Sequence, residues 1–294
     1  MAGPVRRYGL PLTLLMAALV ASWILVTIVL PEILMTSLSF RRALLAVDLG
    51  GPRDHYSLTN YATLLRPPGN LLAFLGAILG SMLATGICLL VCYPAAWCLA
   101  RGKGRAGLPL LILLLAVPLG MGAVLRAFAW RVVLAHPGPL DGPLGLLGLS
   151  PTPTGWLAGQ GGVVVGTAYV FALFMLLPLY GILRTLDGSE IEAARDLGAG
   201  TLRIHRRIVL PHAGPGIAVG CILVFTLAAG SYVVPLVLGS PDPRWPAQIV
   251  SWWVSEGQNR PQGAAYAVLL LLSCLGLPVA LMRLLGVGPA AIGG

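Results

Sequence analysis

DGSEIEAARDLGAGTLRIHRRIVLP, residues Asp187 to Pro211, is the longest polar interval in an otherwise oily chain. Ser189, with Glu192 three residues on, reads as a capping box and predicts a helix starting near Glu190. Ile191, Ala194 and Leu197 recur at three-residue spacing and give that helix one small apolar stripe. Gly198 and Gly200 stop it. Thr201 caps a second short helix that exposes Arg203, Arg206 and Arg207, and Pro211 ends that one. The expected unit is a helix, a kink and a basic second helix, set between two membrane spans. Ala193, Ala194 and Gly198 carry no bulk, so a partner can pack close to the backbone. Glu192 fits either a capping role or a contact to that partner. The same pattern also fits an amphipathic helix resting on a membrane surface.

The rest of the chain explains why this interval stands out. Of 294 residues, 57% are hydrophobic and only 10% charged, where a soluble domain carries about 25%. Long unbroken apolar runs exclude a membrane barrel, which needs short alternating strands. An all-α integral membrane protein with six transmembrane helices is expected. The spans are read at about 10–30, 71–100, 108–134, 163–183, 214–238 and 264–285, around a loop at 187–211. The first run reads as a retained helix, being longer than a signal-peptide core of about 7–15 residues. Gly76, Gly80 and Gly86 give the second span a small-residue face. Breaks are expected at Pro118 in the third span, at Pro178 in the fourth and around Gly230–Pro235 in the fifth, with Pro215 opening the fifth. A short helix is expected within 57–66, and a small re-entrant one within 144–149.

The net charge of +9 does not point to nucleic acid, because the basic residues are scattered without stacking aromatics. They report topology instead. Eleven of the 19 Lys and Arg fall in segments that six spans place on one side with both termini. By the positive-inside rule that side is cytoplasmic, and it includes 187–211. Cys88, Cys92, Cys98, Cys221 and Cys274 all lie in apolar runs and read as core fillers. No metal-ligand spacing is present. The four histidines lack acid partners at useful spacing, which argues against a membrane enzyme. No P-loop pattern surrounds Lys103, the sole lysine, so ATP must be used by another chain. Trp245, Trp252 and Trp253 fit an interface belt or a docking surface. Candidate pathway residues are Arg126 and Trp130 in the third span, Tyr169 in the fourth, and Ser231 and Tyr232 at the bend of the fifth. A charge such as Arg126 inside a span usually faces a cavity or a partner. Arg131 is expected to snorkel outward.

Three stretches carry a family resemblance. Glu192-Ala193-Ala194, three residues, Gly198, nine residues and Ile208-Val209-Leu210-Pro211 resemble the EAA loop of ABC importer permeases. Val117-Pro118 through Arg126-Ala127-Phe128-Ala129-Trp130 resembles a pattern in permeases of spermidine/putrescine importers. Asn259-Arg260-Pro261-Gln262-Gly263-Ala264-Ala265 resembles their Asn-Trp-Pro-x-Gly-Ala-Ala, with Arg260 in place of the Trp.

The resemblance implies a type I ABC importer permease (MetI-like) fold in the bacterial inner membrane. It assigns ATPase coupling to Glu192, Ala193, Ala194, Gly198, Ile208, Leu210 and Pro211. It implies an ATPase dimer that binds the ATP and Mg, a second permease subunit and an extracytoplasmic solute-binding protein. This chain itself would hold no cofactor. The implied cargo is a polyamine such as spermidine or putrescine, driven through by alternating access. Related permeases serve ferric iron, sulfate, thiamine or opine-like compounds. No carboxylate lies at mid-span, so a polyamine would be passed by weak cation–π contacts to Tyr169, Tyr232 or Trp130; the same absence fits a neutral or anionic solute, and Arg126 would favour an anion. An ion-coupled secondary transporter would need intramembrane acids or matched broken spans, and neither is visible.

Overall fold

In a bilayer, backbone groups have no water to bond, so apolar runs of about 20 residues or more close their hydrogen bonds internally as helices. The structure, a computed structural model, describes residues 9–43, 55–65, 68–102, 109, 113, 120–135, 137–146, 160–239 and 245–284. Among these residues five helices are long and apolar enough to cross a membrane: Leu10–Ser39, Leu71–Arg101, Gly161–Thr185, Thr201–Ala229 and Arg260–Arg283. The expected third span is helical over Ala123–Leu134, while most of its first half, with Pro118, lies outside the described residues. In chain order we label the helices α1 (Leu10–Ser39), α2 (Thr59–Leu65), α3 (Pro68–Arg101), α4 (Ala123–Leu134), α5 (Asp141–Leu146) and α6 (Gln160–Thr185). Then follow α7 (Gly188–Asp196), α8 (Thr201–Ala229), α9 (Val233–Leu238), α10 (Pro246–Ser255) and α11 (Arg260–Leu284).

Several expected stops are absent, and two of them, at Pro31 and Pro211, share one device. A proline ring clashes with the carbonyl four residues back and offers no N–H. Widening the preceding turn moves that carbonyl aside. The helix at Pro31 does this with a π turn over Leu25–Val29, closed by the Leu30 N–H on the Leu25 carbonyl. Pro211 is preceded by the same device over His205–Val209, closed by Leu210 on His205. The first span therefore runs to Ser39 rather than ending near residue 30. The fifth begins at Thr201, and neither Pro211 nor Pro215 bounds it. Helix α6 likewise passes through Pro178 without a break. The bend expected near Gly230 is real: α8 stops at Ala229 and the chain restarts as α9 at Val233.

The chain falls into two compact units, residues 1–68 with 250–269, and 69–249 with 270–294. The first is tied by a polar knot. Asn60 donates to the Ser39 and Arg41 carbonyls at 2.7 Å each. Gln262 donates to the Asn60 carbonyl at 3.1 Å and accepts from the Thr63 hydroxyl at 2.8 Å. Asn259 takes the Gln262 amide at 3.0 Å, capping α11. The Asn259–Gln262 motif noted in the sequence is thus a helix cap joined to a cross-link onto α2.

In the second unit α6 and α8 pack along their length. Gly216 and Gly220 sit one turn apart on α8, where a Cβ would come 2.9 Å from the Pro178 carbonyl oxygen and 2.5 Å from the Met175 sulfur. Small residues there let two helix backbones meet. The face expected on the second span is different, because Cβ atoms at Gly76 and Gly86 would meet nothing within 4 Å. Trp245 is fully buried and donates to the Ala228 carbonyl at 2.6 Å, sealing the end of α8. It is neither a belt residue nor a docking residue. Trp252 and Trp253 meet edge to face at 5.0 Å in the other unit.

These contacts predict opposite outcomes for two alanine substitutions. Gly216→Ala drives a methyl against the Pro178 carbonyl and the Ile182 side chain and destabilises by about 1–3 kcal/mol. Gly86→Ala meets open space and is neutral or stabilising, by at most about 1 kcal/mol. Thermal unfolding of each detergent-solubilised variant measures the difference.

Candidate functional site

The polar connection is a sharply built turn. Helix α7 starts two residues earlier than a Ser189 cap would allow, because Asp187 takes the capping position. Its backbone is extended (φ −71, ψ 134) and its Oδ1 accepts the Ser189 N–H at 3.1 Å. That backbone bond, with the Ser189 hydroxyl and the nearby Arg101 charge, holds the Asp187 carboxyl below the usual carboxylate range. At the far end Gly198 adopts φ +76. Its N–H reaches the Arg195 carbonyl at 2.8 Å, and Ala199 reaches the Ala194 carbonyl at 2.9 Å. This is a Schellman ending, and only glycine takes its left-handed position without strain. A Cβ on Gly198 would touch nothing in the chain, so backbone conformation, not crowding, sets the glycine here.

The two faces of α7 are chemically distinct. Ile191 is buried and Ala194 packs on the same core, while Glu192 and Ala193 are exposed. Leu197 does not continue the expected stripe. It sits at the helix end, off the helical path, and is 88% exposed. Leu202 beside it is 83% exposed. Both leucines are thus displayed on a polar loop. Next to them Gly198, Gly200, Thr201, Leu202, Arg203, Arg206 and Arg207 line an open concavity of about 850 Å³. Ile208 packs on the core, and Leu210 and Pro211 are exposed. The candidate residues therefore divide into an exposed group, Glu192, Ala193, Gly198, Leu210 and Pro211, and an anchoring pair, Ala194 and Ile208.

Four residues that fix this turn were not legible as site residues. Arg101, at the end of α3, donates Nη2 to the Leu186 carbonyl at 2.9 Å and lies 5.4 Å over the Trp97 ring. Trp97 meets His205 edge to face at 4.7 Å. His212 Nε2 lies 3.1 Å from both the Ile182 carbonyl and the Thr185 hydroxyl, joining α8 to the end of α6. The histidines have ring and carbonyl partners, which a search for acid partners passes over. The connection is thus held to α3, α6 and α8.

The pathway candidates divide as well. Arg126 is buried, with Nη1 donating to the Val170 carbonyl of α6 at 2.9 Å. Its Nε has no partner among the described residues. Trp130 meets Tyr169 edge to face at 5.4 Å, so these three share the α4–α6 interface. Ser231 is half-buried and Tyr232 exposed, both in the break between α8 and α9. Arg131 does not simply reach outward. It donates to the Val237 carbonyl at 2.7 Å, in the last turn of α9, where a cation opposes the helix dipole. No group of three or more metal-ligating side chains occurs among the described residues.

Comparison with known proteins follows the same lines. A family model described as "Binding-protein-dependent transport system inner membrane component" matches residues 7–285. The chain is 31% identical over 260 residues to the spermidine/putrescine transport system permease protein PotB of Escherichia coli (strain K12), covering 87% of this chain and 92% of that one. Its fold is similar to a chain of a bacterial ABC transporter involved in the import of the acidic polysaccharide alginate, with TM-score 0.68, 15% identity and 96% of each chain covered. A second structure of a bacterial alginate transporter, in complex with an alginate pentasaccharide-bound periplasmic protein, gives TM-score 0.67, 16% identity and coverage of 97% and 98%.

The Asp187 cap carries a pH dependence with a definite sign. A carboxyl held below its unfolded value stabilises the turn fully above that value and loses the effect as pH falls through the lowered one. Hydrogen-exchange protection of the Ser189 amide, corrected for intrinsic rate, should hold constant from neutral pH down to the carboxylate range and then fall. Asp187→Asn should remove that step.

Proposed function

The chain belongs to the binding-protein-dependent transport system inner membrane component family, the multi-pass permease subunits of ABC importers, and from that membership we propose that its cargo is a polyamine. It is a transport subunit, and ATP is hydrolysed by a partner. The observation that carries the cargo assignment is 31% identity across 87% of the chain to a spermidine/putrescine permease. The aromatic pair Trp130–Tyr169 and the exposed Tyr232 suit a flexible polycation passed along by weak cation–π contacts. Arg126 is held at the α4–α6 interface by Nη1 on the Val170 carbonyl, while its Nε has no partner among the described residues.

The Asp187–Pro211 connection is the surface on which the ATPase pushes. Glu192, Ala193 and Gly198 offer a low-relief face, and Leu197 and Leu202 add exposed apolar contact beside it. Arg101 and His212 would pass that push to α3 and α6. Both termini and this connection lie in the cytoplasm, in keeping with the eleven basic residues on that side. The remaining partners are a solute-binding protein outside the membrane and a second permease chain. Helix α1 suits the latter, since none of its residues before Ser39 is buried within this chain.

Uptake by proteoliposomes holding the full importer tests both parts. Spermidine or putrescine should be taken up in preference to ferric iron, sulfate and thiamine. Glu192→Lys and Gly198→Arg should each lower uptake at least about tenfold, the latter also bearing about 1–2 kcal/mol of left-handed strain. Undiminished uptake by both variants, with ATPase still bound, would remove the connection from the drive.

A further inference from the structure

Arg203, Arg206 and Arg207 take no part in the contacts that fix the turn, and the family resemblance assigns them no role in coupling. All three are exposed and line one concavity. None has a hydrogen-bond or ion-pair partner among the described residues. That placement is unfavourable for the chain alone. Like charges three and four residues apart on a helix repel each other. Cations in the first turns of α8 also oppose its dipole, which is positive at that end. Gly200 holds the capping position and gives the free amides there no side-chain acceptor. Guanidiniums stay ionised, so no change of pH relieves the repulsion. Among the described residues the lining of the concavity includes no carboxylate. An anion from outside the chain is what the arrangement lacks.

Volume and depth say which kind of anion. The concavity holds about 850 Å³, far more than one small ion fills, since a water takes about 30 Å³. Residues 208–229 of α8 cover about 33 Å at 1.5 Å per residue, enough for the hydrocarbon layer of about 30 Å. Thr201, at the start of α8, therefore stands about 10 Å beyond that layer, where headgroups add only about 5–7 Å. Arg206 and Arg207 lie near the membrane edge, and the part lined by Gly198, Gly200 and Thr201 lies in water. A soluble protein reaches the whole of it, whereas a lipid headgroup reaches the inner edge. Helix α7 next to it has the opposite charge. Glu190, Glu192 and Asp196 are exposed there against one cation, Arg195. A surface that is acidic on one side and basic on the other accepts a complementary protein one way round.

We propose that the concavity of Arg203, Arg206 and Arg207 is the grip by which this chain selects and orients its ATPase, and that it takes a patch of carboxylates on that protein. The proposal rests on the reading of Asp187–Pro211 as the connection on which the ATPase bears. It divides that connection into two jobs. Helix α7 receives the push, and the basic arm sets the docking rate, the affinity and the orientation. An ATPase with a basic surface at that place is rejected by like charge.

The test is to titrate the ATPase that co-purifies with this importer back onto the permease complex in nanodiscs, at low and at high salt. Wild-type affinity should fall steeply as salt rises. The triple variant Arg203→Gln, Arg206→Gln, Arg207→Gln should bind about tenfold or more weakly at low salt, mainly through slower association, with a flattened salt dependence. The matching Arg→Lys triple variant, which keeps the charge, should recover most of the loss. The Gln variant should unfold at or above the wild-type temperature, because it removes repulsion, so weaker docking would not be loss of fold. Equal affinity and equal salt dependence in wild type and Gln variant would overturn the proposal. So would unchanged ATPase affinity with loss of a co-purifying anionic phospholipid, which would give the concavity to lipid. Uptake separates the two readings. If Glu192→Lys stops uptake while the Gln variant docks normally, the grip falls and the push stands. If uptake survives Glu192→Lys and Gly198→Arg while the Gln variant loses the ATPase, the push falls and the grip stands.

Discussion

A backbone carbonyl inside a bilayer has no solvent to fall back on, and most of this structure is the working out of that constraint. Where prolines would break a helix, the preceding turn widens instead, at Leu25–Val29 and at His205–Val209. Where α8 does end, at Ala229, the exposed carbonyl of Ala228 is covered by the buried indole of Trp245. Where the chain must reverse outside the membrane, Asp187 and Gly198 satisfy the two ends of α7 with one side chain and one left-handed residue. Each device is local, and those within the apolar spans are needed because an unpaired polar group in lipid costs several kcal/mol, about as much as a domain's margin of stability.

The same constraint explains what could be read without coordinates. The helical class, the placement of most spans and the helix–kink–helix at Asp187–Pro211 follow from apolar run length, Gly198 and the polar interval itself. Span boundaries did not follow, because proline in water-soluble helices is a stop and in lipid it need not be. Pro31, Pro178, Pro211 and Pro215 all lie inside helices. The cap was placed two residues late, since Ser189 with Glu192 has the right spacing but Asp187 has the stronger acceptor. Arg101 and His212 were invisible as structural links. Their partners are main-chain carbonyls of Leu186 and Ile182, and no sequence pattern marks a carbonyl as available.

Those two links give the connection its mechanical character. Helix α7 is short, and by itself nine residues would fray. It is stiffened at its start by Arg101 on Leu186, below by Ile191 in the core, and at its end by the Schellman turn. A load applied to the exposed face of Glu192 and Ala193 is therefore met by three helices at once. The Gly216–Gly220 contact of α8 with α6 carries that load onward, with backbone against side chain and little compliance between.

The π turn at His205–Val209 has one more consequence. It adds a residue to the cycle without adding a turn, which offsets the angular clock of everything before it by about 100°. Arg203 and Leu202 stand on one side of that offset, Gly216 and Gly220 on the other. The direction in which the basic arm points is thereby decoupled from the direction in which the fifth span packs. A lineage could re-aim the arm toward a differently shaped neighbour by gaining or losing this single residue, leaving the membrane-embedded seam untouched.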